Sequence, residues 1–255
     1  MEVVGTYTPR IQFRNVMTGE RETSDEKSKD RFLEAFGVFQ SEVDHDPHDP
    51  RARASVIWDL ELFSDGKLSE IIQIPDAYKH GHVFRLYDDG TPAIRLTITP
   101  AGTISEPYIN QTGSGTLFIQ VLGRKVFIVW PPTSKNLEWF ANKSGIHYGT
   151  IFEAALRHLE FPECIVFEQG QYEILGPGYI HGDLSAMNSA ISGVPVVHSS
   201  LRSQADLAMT WEKQVMARRE AGTTVERATL KGIQRGLQED ETLWRELDMI
   251  QEDNV

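Results

Sequence analysis

Cysteine is almost missing from this chain: among its 255 residues, Cys164 stands alone. One thiol builds neither an internal disulfide nor a cysteine-based zinc site, and such usage fits a reducing, intracellular compartment. Long apolar runs are missing too, and nothing approaches the roughly eighteen consecutive apolar residues of a membrane helix. The opening MEVVGTYTPRIQFRN lacks a basic flank followed by an apolar stretch, so no signal peptide is expected. Positive charge is in deficit: 25 Lys and Arg stand against 37 Asp and Glu, a net charge of −12. The densest basic clusters are only MARRE and LGRKV. Neutralising nucleic-acid phosphates takes a basic face, so direct nucleic-acid binding is not expected. A basic partner such as a histone tail is electrostatically permitted.

What is present reads as globular. With 40% hydrophobic and 24% charged residues, the chain has the means to bury a core of useful size. SKDRFLEAFGVFQSEV spaces Phe32, Phe36 and Phe39 as one amphipathic helix. The loop DHDPHDPR (44–51) follows, with two His and three Asp. Its prolines leave no regular spacing that would converge metal ligands, so it reads as a solvated linker.

From residue 54 the pattern becomes short β-type runs: ASVIWDLELF, SEIIQIP, HVFRLY, AIRLTITP, TLFIQVL, KVFIVW, CIVFEQG, QYEILGP and MNSAISGVPVV. Turn residues separate them, which suggests an all-β barrel or sandwich. A helical insertion is expected at about 134–160, with Phe152, Leu156 and Leu159 on its buried face. After residue 200 the chain turns helical. Leu207, Trp211 and Val215 mark one helix that stops at Gly222, and Thr223 with Glu226 forms a capping-box signature. Leu230, Ile233, Leu237, Trp244, Leu247 and Ile250 then carry an apolar stripe. The organisation expected is a helical and loop extension over 1–53, a barrel over 54–199, and a C-terminal helical pair over 200–255. That pair packs either on the barrel or on another molecule, a homo-oligomer included.

The stretch SEPYINQTGSG (105–115) lies between apolar runs, and in an extended chain Tyr108 and Asn110 face the same way. A His and an Asp or Glu at those places would give two ligands of the facial triad that holds ferrous iron. A third ligand is on offer downstream in QYEILGPGYIHGD, where His181 follows a Gly-Pro-Gly turn.

Residues 94–197 resemble a JmjC domain, the cupin-like double-stranded β-helix (jelly roll) of 2-oxoglutarate-dependent oxygenases. The resemblance is carried by SEPYIN, GSGTLFIQVLGRKVFIVWPPTSKNLEWF and FEQGQYEILGPGYIHG. It is nearest the branch of histone lysine demethylases with plant-homeodomain or CXXC fingers. It implies a mainly β fold with appended helices, and metal positions at Tyr108, Asn110 and His181. It implies that Lys125 and Ser105 grip the distal carboxylate of 2-oxoglutarate. It also implies a nuclear, chromatin-associated setting, with a histone tail or chromatin protein as partner.

Two of the three metal positions depart from the family. Asn110 offers a neutral carbonyl and Tyr108 a phenol of reference pKa near 10. Weak or absent iron binding is therefore expected, with no residue assigned as catalytic. The leading expectation is a catalytically degenerate binding or regulatory module. The alternatives are an active ferrous, 2-oxoglutarate-dependent demethylase or hydroxylase, and a metal-independent cupin-barrel enzyme with Tyr108 as acid and His181 as base. Each residue also has a plain packing role: His181 as a core histidine, Lys125 as a surface residue extending to solvent. A rearranged metal site of His181, Asp183 and either His80 or His82 is a further arrangement the sequence permits.

Overall fold

Alternation of side chains across short extended runs builds two antiparallel sheets. The computed structural model describes residues 10–15, 53–61, 72–86, 90, 92–110, 113–142, 151–222 and 227–252. The Phe32–Phe36–Phe39 pattern, the DHDPHDPR loop and the Thr223–Glu226 cap lie outside them.

The strands run β1 (Arg10–Asn15), β2 (Arg53–Glu61), β3 (His82–Phe84), β4 (Arg95–Thr99), β5 (Ile104–Tyr108) and β6 (Gly115–Leu122). They continue through β7 (Arg124–Trp130), β8 (Glu163–Glu168), β9 (Tyr172–Leu175), β10 (Ile180–Ser185) and β11 (Ser189–His198). The larger sheet has the order β1-β2-β4-β11-β6-β9, with β3 also paired to β11; the smaller is β5-β10-β7-β8. Among the described residues the architecture is thus mainly antiparallel β with a few helices. SEIIQIP contributes no strand in its described part, residues 72–75. β1 pairs with β2, so the first 53 residues, expected as helix and loop, contribute a strand to the larger sheet.

β7 shows the alternation that makes the interior. Lys125, Phe127 and Val129 are buried, while Val126 and Ile128 between them are half-buried on the opposite face. Between the sheets lie Phe118, Phe127, Val129, Phe167, Leu175 and Ile191. Full burial of a side chain such as Phe127 stabilises by about 3 kcal/mol. The other face of the larger sheet presents Leu96, Ile98, Leu117 and Val194 to Ile72 and Ile74. At Gly123, between β6 and β7, φ is +73°, and an added Cβ would sit 1.9 Å from the Asn188 carbonyl oxygen. Glycine alone fits this crossing between sheets.

Helices α1 (Ser134–Ala141) and α2 (Ile151–His158) cover the outer face of the smaller sheet, packing Trp139, Phe140, Phe152, Ala155 and Leu159 against Trp130 and Ile180. Thr133 caps α1, its side-chain oxygen accepting from the Asn136 backbone N–H at 3.1 Å. Leu156, expected on the buried face, is exposed, and Ala155 takes its place. One row of that sheet stays uncovered: Ile104, Leu184, Val126 and Val166 lie in register across β5, β10, β7 and β8.

Helices α3 (Arg202–Gly222) and α4 (Arg227–Glu252) follow β11. Leu237, Leu243, Trp244 and Leu247 pack with Ala205, Met209 and Met216 against Val197 and Val83 of the larger sheet. The C-terminal stripe is thus spent within the chain at Leu237, Trp244 and Leu247, while Ile250 is exposed. On α3, Leu207 is exposed and Trp211 half-buried; Ala205, Ala208 and Met209 form the buried face with Val215. Close packing of this helix is carried by short alanines, which spacing of large apolar residues does not reveal. Among the described residues no helix is long and apolar enough to cross a membrane.

Candidate functional site

Three strands of the smaller sheet, β5, β10 and β7, carry the sequence-nominated residues. β10 turns His181, Asp183 and Ser185 inward, and each is at most 2% exposed. His181 pairs in register with Tyr108, and Asp183 with Ser105. His181 and Asp183 are two residues apart on β10, but Ser105 and Tyr108 are three apart on β5. A bulge between them absorbs the extra residue. Ser105 and Tyr108 can therefore oppose inward-facing partners despite their odd spacing.

Tyr108 meets His181 ring to ring, with centroids 4.2 Å apart and planes tilted by 54°. Phe127 stacks on the same imidazole at 5.9 Å, and Phe118 approaches it edge-on at 5.8 Å. This aromatic jacket pushes the His181 pKa down to about 4: burial dominates, against the Tyr179 carbonyl bond and the nearby Asp183 carboxylate. His181 Nδ1 lies 3.3 Å from the Tyr179 carbonyl oxygen, while Nε2 is buried with no partner among the described residues.

Asn110 does not join this group. β5 ends at Tyr108, and Ile109 packs with the Trp130–Leu159 cluster under the insertion helices. The alternation that would align residues 108 and 110 therefore stops one residue too early. Asn110 lies in a bend, exposed, and its side-chain amide donates to Thr116 Oγ1 at 3.2 Å. A ferrous centre does not fit these residues: one imidazole, one phenol packed against it, and an amide directed elsewhere lack the anionic oxygen and second imidazole that such an ion requires.

Lys125 is the opposite of a surface lysine. At 1% exposure its ammonium forms an ion pair with the Asp183 carboxylate, itself 2% exposed. Ser105 Oγ, opposite Asp183 in register, is buried with no hydrogen-bond partner among the described residues. Ser185, opposite Lys125, shares a hydroxyl–hydroxyl hydrogen bond of 2.6 Å with Thr99 on the facing sheet. A 2-oxoglutarate carboxylate beside this lysine would have to share an ammonium that already has its counter-charge in Asp183.

The rearranged metal site is not assembled. Asp183 belongs to Lys125, and His82 lies on the larger sheet, stacked on His198 with centroids 4.4 Å apart. His80 is near His82 through its carbonyl, which lies 3.0 Å from His82 Nδ1. Among the described residues no three His, Cys, Asp or Glu are grouped to hold a metal ion.

Two polar residues that the sequence reading passed over brace this region. Asn136, fully buried on α1, donates to the carbonyls of Pro131 and Glu160 and accepts from the Glu160 N–H, all within 3.0 Å. Asp240 on α4 accepts from the Gly113 N–H at 3.0 Å and pairs with Arg85 at 3.1 Å. Burial raises its pKa, opposed by Ser114, Arg85 and the Gly113 N–H. For Asp240 the available signal was its place inside the apolar stripe of Leu237, Trp244 and Leu247; Asn136 gave none, being one of several polar residues of its helix. Compared with known proteins, the chain matches no family model and no curated protein.

Proposed function

We propose that the protein is a double-stranded β-helix of the JmjC type whose oxygenase centre has been lost, and that it works as a binding or regulatory module. Strand order supports the fold half of this reading. From β4 onward the chain changes sheet at every connection except β7 to β8, giving β4-β11-β6-β9 against β5-β10-β7-β8, the winding expected of a jelly roll.

The observation that carries the functional half is the divergence of Tyr108, Asn110 and His181. Tyr108 covers His181 while the Asn110 amide bonds Thr116, so the three positions offer no common point for a metal. A basic protein segment suits a chain of net charge −12. By resemblance that segment is a histone tail or chromatin protein, and the compartment is the nucleus.

The test is thermal unfolding with manganese, with 2-oxoglutarate, and with both, alongside an assay of succinate release from 2-oxoglutarate under ferrous iron. A ligand at a hundred times its Kd adds about 2.7 kcal/mol, a shift of several degrees. Expected are no shift that needs both additives and no succinate. Either a joint shift or turnover overturns the reading in favour of an active oxygenase.

A further inference from the structure

A buried ammonium must find its counter-charge inside the fold, since leaving it bare is far costlier than exposing it. Lys125 finds that charge on the neighbouring strand. β10 delivers the Asp183 carboxylate to it, in a setting where both side chains are at most 3% exposed. Hydroxyl side chains occupy the register positions opposite both members of the pair. Ser105 places a hydroxyl with no partner among the described residues opposite Asp183, and the Ser185–Thr99 hydroxyl pair begins at the position opposite Lys125. Every other inward neighbour of Lys125 on β7 is apolar, namely Phe127 and Val129. The arrangement has what a small carboxylate needs, and the carboxylate present is the chain's own.

We propose that the interior of the smaller sheet is a carboxylate site which the chain fills with Asp183, a tethered counter-anion that keeps free carboxylates from Lys125. The inference does not rest on the proposed function. It concerns Lys125 rather than the metal positions, and it holds for a barrel of any activity.

The test compares melting temperatures in formate, acetate, 2-oxoglutarate and chloride at equal ionic strength. Wild type gains nothing from any carboxylate beyond its response to chloride. Asp183→Ala leaves the ammonium bare and melts about 10 °C lower. Formate or acetate, small enough to take the vacated place, restores at least about 3 °C of that loss beyond chloride. The double variant Lys125→Met/Asp183→Ala shows no carboxylate-specific gain.

Should Asp183→Ala not fold in chloride, Asp183→Ser, which keeps a hydrogen-bonding group on β10, is read in the same way. Folding of either variant only in carboxylate supports the proposal; failure of both even in carboxylate overturns it. So does an equal gain in the double variant, or the absence of any gain in the single one. A wild-type gain with 2-oxoglutarate alone also overturns it, while leaving the lost metal centre untouched; a gain needing manganese as well would remove both.

Discussion

Trp244 and Gly113 stand 131 positions apart in the chain, and the indole N–H of the first donates to the backbone carbonyl of the second at 2.6 Å. Asp240, one helical turn before Trp244, accepts from the N–H of the same glycine. The last helix therefore grips both polar groups of one peptide residue at the mouth of β6. That grip ties the C-terminal helix to the start of a strand in the larger sheet.

Gly113→Ala is expected to loosen that grip. An added Cβ would lie 2.5 Å from Asp240 Cβ and 2.7 Å from Met209 Sδ. The methionine can move aside, but the Asp240 Cβ is fixed to its helix. Overpacking of this kind costs about 1–3 kcal/mol, to be read from urea unfolding. An unchanged midpoint would mean that α4 is not held against Gly113.

Leu237 separates core packing from a surface role. It is 6% exposed among Val197, Trp244 and Met209, so Leu237→Ala is expected to lose about 2–5 kcal/mol, and Leu237→Glu to unfold the protein. Leu184→Lys, in the uncovered row, is expected to change stability by no more than about 0.5 kcal/mol. Chemical unfolding with light scattering checks both. A Leu237→Glu protein that stayed folded and changed only its molecular mass would return the stripe to an interface between copies.

His181 gives the fold a pH dependence with a defined sign. The imidazole titrates near 6.5 when unfolded and at about 4 when folded, so the native state favours its neutral form. Stability from this group is whole above about pH 6.5 and is lost as pH falls towards 4. Between pH 7 and pH 5 the loss is about 2 kcal/mol. His181→Gln, which does not titrate, is expected to lack that part of the slope. Parallel slopes for the two proteins would place His181 in contact with water.

Much of the architecture was legible because period-two alternation is local. KVFIVW, TLFIQVL and AIRLTITP each became a strand, and the helical segments fell near 134–160 and after 200. The site was harder to read, for reasons of the same physics. Alternation predicted that Tyr108 and Asn110 share a face, but tertiary packing of Ile109 ended the strand between them. Alternation puts Lys125 on the face of Phe127 and Val129, while its charge alone is compatible with a place at the surface. Only the register of β7 against β10 brings it to Asp183, 58 positions away. Size favours Leu207 as the buried position of α3, whereas the close approach of Gly178 requires the small Ala208.

The bulge in β5 has a consequence for how this chain tolerates gain and loss of residues. In a regular strand, deleting one residue turns every side chain beyond it to the opposite face. Between Ser105 and Tyr108 the count already runs one over, since Glu106 and Pro107 together oppose the single Gly182. Losing Pro107, which has no N–H to give to the ladder, would straighten β5 and leave Ser105 opposite Asp183. Glu106 would keep to the outer side, where its carboxylate now accepts the Phe152 N–H at the start of α2. Length variation at this point leaves Ser105 and Tyr108 in register with β10. Loss of Ser105 itself would instead bring Ile104 opposite Asp183, beside the buried ion pair.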